Sequence, residues 1–299
     1  MFNQLRKIKK AIQHPELIPL KLIPGHLLPD SFYLKCLYKN KTGKKLNLNN
    51  PLLYNEKIQW LKLYDRQQKY SNLSDKYEVR DFITHTIGND YLVHIYGVWN
   101  SFDEIPFNEL PNEFVLKCTH DSGSIIFCKN KNLFDIPKTR DYFLKILAKN
   151  YYWDKREWAY KNIRPRIIAE KLMIDESSFG LKDYKIFCFN GEPKIIQVDF
   201  DRFTDHKRNF YSLQWEYQPF ALKYPTAPQI NIPRPSNLLL MLELAKKLSV
   251  GITHVRVDFY SIGNKIFFGE LTFYHGAGFE HFDPSEWNRI FGDWMILPN

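Results

Sequence analysis

Residues 254–278 read HVRVDFYSIGNKIFFGELTFYHGAG, the most regular pattern of strand residues in the chain. Polar and apolar residues alternate along its first half, which places His254, Arg256, Asp258 and Tyr260 on one face of a predicted strand. A second apolar run, Lys265 to Thr272, follows a short turn that contains glycine. The pattern predicts a β-hairpin with one polar face and one packed face.

The two acids of this hairpin are candidate metal ligands. With Ile262 to Asn264 as the turn, Asp258 pairs with Phe268 and Glu270 lies diagonally beside it, with Cα atoms roughly 7 to 8 Å apart. Two converging carboxylates suit Mg²⁺, which shares oxygen ligands with substrate phosphates, and Arg256 could hold a phosphate. The alternative is an exposed face with solvated charges.

Two lysines further upstream are candidate phosphate ligands. Lys117 ends an apolar strand, and the loop after it contains Gly123, whose backbone amides could cover a triphosphate. Lys76 lies near the start of a predicted helix. Each could also be an ordinary surface lysine. The loop after Lys117 lacks the spacing of a P-loop.

The remaining pattern is a mixture of helices and strands. Capping and periodicity predict helices at 55–64, 75–87, 138–150 and 236–249. Alternation and turn residues predict strands at 114–117, 125–128, 166–174, 184–190, 193–200, 254–260 and 265–272.

Composition and charge exclude several classes of protein. With 299 residues, of which 44% are hydrophobic, the chain can bury a large core and disorder is not expected. The four cysteines have no zinc-ligand spacing, which indicates reduced thiols in a cytoplasmic protein. A net charge of +9 attracts polyanions, but no nucleic-acid-binding motif is visible, so nucleic acid is an unlikely partner.

The first ten residues, Met1 to Lys10, are basic and contain no apolar stretch long enough for a signal peptide or membrane span. Leu5, Ile8 and Ile12 recur at helical spacing among basic residues, so this segment could lie on the inner membrane surface as a peripheral contact. Alternatively, it is a helix packed on its own domain.

The order of these motifs resembles the ATP-grasp superfamily, and more closely its TupA-like branch, which is linked to teichuronopeptide and capsular polysaccharide synthesis. The resemblance covers roughly residues 46–279. The matching segments are SDKYEVRDFI at 74–83, FVLKCTHDSGS at 114–124, RIIAEKL at 166–172, LKDYKIFCFNGEPKIIQVD at 181–199, and the hairpin at 254–278.

The resemblance implies an α+β ATP-grasp fold, in which two α+β lobes with mainly antiparallel sheets grip a nucleotide. We expect a helical N-terminal segment at residues 1–70 and the ATP-grasp region at 71–299. Within that region, residues 71–165 would form the first lobe with its glycine loop, and residues 166–299 the second lobe with the metal site.

The resemblance also implies roles for individual residues, with ATP and Mg²⁺ as cofactors. Lys117 and Arg256 would be catalytic, with Arg256 as the phosphate or acyl-phosphate clamp. The sequence itself adds His275 as a third catalytic candidate, because it lies in a glycine-containing loop near the metal strand; either His206 or His275 could accept the proton of an attacking amine. The expected metal ligands are Asp258, Glu270 and Thr272, where Thr272 replaces the amide of many ATP-grasp enzymes. The expected nucleotide contacts are Lys76 and Lys117 with the phosphates, the loop residues Ser122, Gly123 and Ser124, Glu170, Lys171 and Leu172 with adenine, Asp183 with the ribose, and Lys185.

The implied reaction is phosphoryl transfer from ATP to a carboxylate, followed by attack of an amine on the acyl phosphate. A uronic acid or acidic polysaccharide precursor and an amine co-substrate are the expected partners. The polar run Asp201, Arg202, His206, Lys207 and Arg208 is a candidate acceptor region.

Two rival functions remain open from the sequence. Asp199-Phe200-Asp201 is a DxD triplet of the kind that holds a metal and a sugar diphosphate in glycosyltransferases. A catalytically inactive, basic polysaccharide-binding module is the other.

Overall fold

A computed structural model describes residues 25–174, 181–200 and 206–298 of the chain. The α-helices are α1 (Asp30–Thr42), α2 (Tyr54–Tyr64), α3 (Lys69–Ser74), α4 (Val79–Thr86), α5 (Ile136–Leu147), α6 (Tyr152–Lys155), α7 (Leu238–Ser249) and α8 (Glu286–Trp294). The strands are β1 (Ile95–Trp99), β2 (Phe114–Cys118), β3 (Ile125–Cys128), β4 (Ile167–Glu170), β5 (Asp183–Phe189), β6 (Glu192–Phe200), β7 (Lys207–Tyr211), β8 (Tyr217–Gln218), β9 (Ala221–Leu222), β10 (His254–Ile262), β11 (Lys265–Thr272) and β12 (Phe282–Asp283).

A four-stranded antiparallel sheet forms the smaller lobe, with the strand order β1-β4-β2-β3. Apolar residues on one face of β2 and β4 pack against α5, whose Phe143 is fully buried among Phe102, Phe114 and Ile167. This small core leaves the opposite face of the sheet available to line a cleft.

A six-stranded antiparallel sheet forms the larger lobe, with the strand order β11-β10-β5-β6-β7-β8. Its apolar face is covered by α7, where Met241, Ala245 and Leu248 pack in one core with Val255 and Val257 of β10. The face that carries Arg256 and Asp258 points the other way, as the alternation of the sequence predicts. A two-stranded sheet, β9 with β12, completes this lobe.

The predicted hairpin is present, but its predicted register was wrong. Ile262 pairs with Lys265, so the turn is Gly263-Asn264, one residue shorter than expected. A bulge then leaves Gly269 unpaired and brings Asp258 directly opposite Glu270. The two carboxylates are therefore cross-strand neighbours, closer together than the diagonal pair that the sequence predicted.

Other predicted elements differ from the structure at their ends. The strand predicted at 166–174 ends at Glu170, and the helix predicted from residue 75 begins regularly at Val79. Asp75 still accepts backbone N–H groups of Tyr77 and Glu78 at 2.8 and 3.3 Å, as a capping residue does. Glu78 instead pairs with Arg166, at 2.8 Å.

The division into segments follows the packing of the chain rather than the sequence boundaries. Residues 25–70 form helices and loops, but α2 packs in the same core as the larger lobe. β4 lies beyond the expected lobe boundary at residue 165, yet it completes the sheet of the smaller lobe because it inserts between β1 and β2. The α+β fold class is confirmed.

Among the described residues, no helix has the length and apolar character needed to span a membrane. The segment Met1 to Lys10, for which a peripheral membrane contact was predicted, lies outside the described residues.

Candidate active site

A cavity of about 500 Å³ lies between the two sheets. It gathers five of the predicted site residues from three separate stretches of the chain: Lys117, Glu170, Lys171, Leu172 and Asp183. Besides Glu113 and Lys129, the other lining side chains are apolar or aromatic, which suits the flat face of a nucleobase. These are Val93, Val115, Ile125, Phe127, Met173, Ile174, Leu181 and Tyr260.

Lys117 and Glu170 form an ion pair inside this cavity, with 2.5 Å between Lys117 Nζ and Glu170 Oε2. Because both groups line the cavity, a nucleotide bound there would contact Lys117 and Glu170 and weaken the ion pair between them.

The loop after β2 is held in a fixed turn beside Lys76. The Lys76 ammonium donates to the Asp121 carbonyl, and Ser124 Oγ donates to the Asp121 carboxylate while accepting from the Cys118 N–H at 3.1 Å. Gly123 has φ +102°, a conformation that favours glycine. Ser122 and Gly123 are exposed, whereas Ser124 is buried and stabilises the turn from within.

Arg80 is a cation beside this loop that the sequence did not single out. Lys76, Arg80 and Lys117 line one small pocket together with Glu170 and Gly269. Arg80 lies in the first turn of α4, four residues after Lys76, and its Nη1 donates to the Val93 carbonyl at 2.9 Å. The i, i+4 spacing of two cations near a helix start is the signal that could have identified it.

Arg256 joins the two hairpin carboxylates. Its Nε and Nη2 donate to the two oxygens of Asp258 at 2.7 and 2.6 Å, in a bidentate pair. Nη2 also lies 3.3 Å from Glu270 Oε1 and 3.1 Å from Thr272 Oγ1, which in turn donates to Glu270 at 3.1 Å. The three expected metal ligands therefore surround one guanidinium.

Lys185 lies on the neighbouring strand, with Nζ 2.6 Å from Asp258 Oδ2 and 3.3 Å from Asp183 Oδ2. Burial lowers the pKa of Lys185, but Asp183 and Asp258 more than offset this and raise it above its ordinary value. The ammonium therefore stays charged between a predicted ribose contact and a predicted metal ligand.

The hairpin site fits a hard divalent cation that is shared with a ligand. Among the described residues, no group of three or more His, Cys, Asp or Glu side chains could hold a metal by itself. Asp258 and Glu270 nevertheless face each other, and Glu270 keeps 40% of its side chain exposed. Desolvation raises the pKa of Glu270, but the charges of Arg256, Lys185 and Lys76 more than offset this and lower it. Two carboxylates completed by phosphate oxygens and water are what Mg²⁺ requires.

His275 lies behind this site and is only 3% exposed. Its Nδ1 accepts from Arg256 Nη1, and its Nε2 lies 3.1 Å from Glu280 Oε2. Both ring nitrogens thus have charged neighbours. The role of His275 as a proton acceptor stays a prediction. Its contact with Arg256 also suits a supporting role, in which the imidazole holds the guanidinium in place.

The polar run after β6 is partly buried. Asp199 Oδ1 accepts from Arg208 Nε at 2.7 Å, and Asp199 Oδ2 accepts from Gln197 at 3.0 Å. Burial raises the pKa of Asp199, but His206, Arg208 and Lys185 more than offset this and hold it far below its usual range. The first acid of the DxD triplet is therefore engaged within the protein, while Asp201 and Arg202 lie outside the described residues.

Comparison with known proteins identifies the family. The sequence profile of the family described as TupA-like ATPgrasp matches residues 56–296. No curated protein matches the chain.

Several solved structures of ATP-grasp enzymes are similar to the chain at low identity. D-alanine–D-alanine ligase from Bacillus anthracis is 14% identical, with 67% of this chain and 56% of that chain covered and a TM-score of 0.37. Phosphoribosylamine–glycine ligase from Thermotoga maritima is 10% identical, with 71% of this chain and 52% of that chain covered and a TM-score of 0.44. The ATP-grasp ligase PsnB, solved with its minimal precursor, Mg and ADP, is 11% identical, with 79% of this chain and 65% of that chain covered and a TM-score of 0.34.

The chain thus spans little more than half the length of the Bacillus anthracis D-alanine–D-alanine ligase. The profile covers most of the chain, from α2 to the residues after α8, and includes the lysine-lined cavity and the hairpin. The chain has the ATP-grasp fold and belongs to the TupA-like ATP-grasp family.

Proposed function

We propose that the protein is an ATP-dependent ligase that joins a carboxylate to an amine through an acyl phosphate. The observation that carries this proposal is the opposed pair Asp258 and Glu270, bridged by Arg256, beside a cavity lined by Lys117. Such a site supplies charge and position, which are the main needs of phosphoryl transfer. It contains the residue types that the family resemblance predicts for ATP and Mg²⁺.

Each residue has a distinct part in the proposed reaction. Lys76, Lys117 and the amides around Gly123 hold the ATP phosphates, and Arg80 adds a third cation. Mg²⁺, when bound by Asp258 and Glu270, would neutralise charge on the transferred phosphoryl group. Arg256 then stabilises the acyl phosphate, and the amine attacks its carbonyl carbon to release phosphate.

The proposed carboxylate is a uronic acid of a cell-surface polysaccharide or its precursor. The net charge of +9 favours an acidic substrate, and the link of the TupA-like branch to teichuronopeptide and capsular polysaccharide synthesis supports it. Amidation of the uronic carboxylate is the proposed outcome. Because ATP is the proposed phosphoryl donor, we propose that the reaction takes place in the cytoplasm.

The test is ADP formation by the purified chain with ATP, Mg²⁺, a uronic acid and a panel of amines. We expect ADP release that requires the acid and increases with one of the amines. Glu270→Gln should lower kcat at least about 100-fold, because a charge-stabilising contact is lost from the transition state. The matched control is Glu109→Gln, at an exposed position away from the hairpin, which should leave kcat unchanged.

Equal activity of the two variants would contradict the assignment of Glu270. Cleavage of a UDP-sugar without ATP would instead support the interpretation of the DxD triplet as a glycosyltransferase site. No turnover of either substrate would favour the polysaccharide-binding module.

A further inference from the structure

A second basic feature lies on the helical N-terminal segment, outside the site described above. From Ser31 to Asn55 the sequence contains five lysines and no Asp or Glu. The lysines are Lys35, Lys39, Lys41, Lys44 and Lys45, and all five are exposed. A run of lysines without acids in the sequence around them creates a local positive potential.

The fold turns this pattern into a groove. Helix α1 ends at Thr42 and is capped by Gly43, which has φ +72° and donates its N–H to the Lys39 carbonyl. The chain then runs back beside the helix, and Leu46 and Leu48 pack on Leu34 and Tyr38. Between helix and returning chain lies a groove of about 770 Å³, which we call the basic groove; it is lined by Phe32, Lys35, Cys36, Lys39 and residues 45–49.

Two of the lysines that line the basic groove have no acidic partner among the described residues. Lys35 and Lys45 form no ion pair with any residue in the described part of the chain. Asp30, the acid at the start of α1, is already paired with Arg66 at 2.6 Å and Arg156 at 2.7 Å. Glu56, the next acid along the chain, accepts two backbone N–H groups at the start of α2.

The other lining groups are those that bind sugar rings. Phe32 keeps 42% of its surface exposed at the groove, which offers an aromatic face to the C–H groups of a ring. The amide of Asn49, also exposed, can bind hydroxyl groups. A concave groove with cations, an amide and an aromatic face fits a hydroxylated polyanion chain better than a flat membrane surface.

The basic groove is connected to the candidate active site through packing. Phe279 packs on the core beneath the groove, with its ring 6.3 Å from that of Tyr38. Phe279 follows directly on the helical turn His275–Gly278, which contains the residue that supports Arg256. Packing through Tyr38 and Phe279 therefore joins the core beneath the groove to the segment that borders the hairpin.

We propose that the basic groove binds an acidic polysaccharide and holds the polymer whose carboxylate reacts at the hairpin. This inference rests on the proposed function for its link to catalysis, but the binding itself does not require catalysis. The groove would raise the local concentration of acceptor carboxylates at the active site.

The test measures binding of the full chain to a galacturonic acid oligomer by calorimetry, at low and at physiological salt. Lys35→Gln combined with Lys45→Gln should weaken binding about tenfold and reduce its dependence on salt. The matched control is Lys246→Gln combined with Lys247→Gln on α7, which removes the same charge from another exposed surface and should change binding little. Circular dichroism and thermal unfolding show whether the variants fold.

Equal weakening by both pairs would overturn the proposal, because net charge alone would then explain the affinity. The proposal would also be overturned if phosphatidylglycerol vesicles or an RNA homopolymer bound to the groove as tightly as the galacturonic acid oligomer does. The ligase assay separates the two proposals. The groove pair should keep kcat with monomeric galacturonate and lose activity on the oligomer, whereas failure of the wild-type chain to release ADP with either acid would contradict the proposed function alone.

Discussion

At the residue scale, the most informative arrangement is the buried series Arg256, His275, Glu280. Burial lowers the pKa of His275 to about 4, with Glu280 opposing the shift and Arg256 adding to it. The imidazole is thus neutral at physiological pH. A neutral ring can accept from Arg256 through Nδ1 only if its proton lies on Nε2, which faces Glu280. Glu280 thereby orients the guanidinium indirectly, as a positioning residue.

Glu280→Gln tests this role. We expect kcat to fall about tenfold, as for other supports of a site, while KM for ATP changes little. Because His275 is neutral throughout the range, the shape of the pH profile between about pH 6 and 8 should stay the same. The measurement is steady-state ADP formation across pH.

A double-mutant cycle with His275→Gln provides the control. If the two residues act as one unit, the combined variant should be hardly worse than either single variant. Loss of the acidic limb of the profile in His275→Gln, with rescue by added imidazole, would contradict positioning and indicate that His275 accepts a proton.

At the element scale, the bulge in the β10–β11 hairpin decides where the two acids meet. A Cβ at Gly269 would lie 3.1 Å from the Asp258 carbonyl oxygen, so β10 would have to give way. Gly269→Ala should therefore displace Asp258 relative to Glu270. We expect kcat to fall at least tenfold, while the free energy of unfolding falls by only about 1 kcal/mol. ADP formation and urea unfolding measure the two effects.

The same hairpin offers a matched control for this prediction. Gly263, in the turn, has φ +58° and open space around its missing Cβ. Gly263→Ala should cost a similar free energy through backbone strain but leave the carboxylates in place. If both variants lose activity in proportion to stability, the bulge has no special role.

This hairpin also shows what the sequence could and could not predict. Strand type and the polar face that Asp258 shares with Glu270 follow from a period of two, which needs no long-range information. The register does not, because a glycine in a strand is compatible with regular pairing or with a bulge. Arg80 was not singled out because two cations four residues apart are common near helix starts, whether or not a pocket lies beside them.

At the scale of the whole molecule, the helical segment is part of the larger lobe rather than an appendage. Asn55, Gln59 and Lys62 of α2 donate to backbone carbonyls of residues 277–280 at 2.8 to 3.0 Å. These contacts join residues more than 200 positions apart, so no local pattern predicts them. Sequence patterns thus identified the elements but could not show which core each one joins.

The same junction predicts how stability depends on pH. His254 on β10 is fully buried, and its Nε2 lies 2.6 Å from the hydroxyl of Tyr54 on α2. Burial lowers the pKa of His254 to about 3, and the charges of His275 and Arg256 add to the shift. Burial raises the pKa of Tyr54 well above its ordinary value, so its hydroxyl keeps its proton and donates to the ring.

Because His254 is neutral in the folded chain, only the unfolded chain takes up its proton as the pH falls below about 6.5. Stability from this residue is complete above that pH and is lost on acidification, by about 2 to 3 kcal/mol between pH 6.5 and 4.5. His254→Gln keeps an acceptor for Tyr54 but cannot titrate, so its free energy of unfolding in urea should fall less steeply over this range. Equal slopes for the two proteins would mean that His254 is charged in the fold, and that the junction between α2 and the larger sheet is open to water.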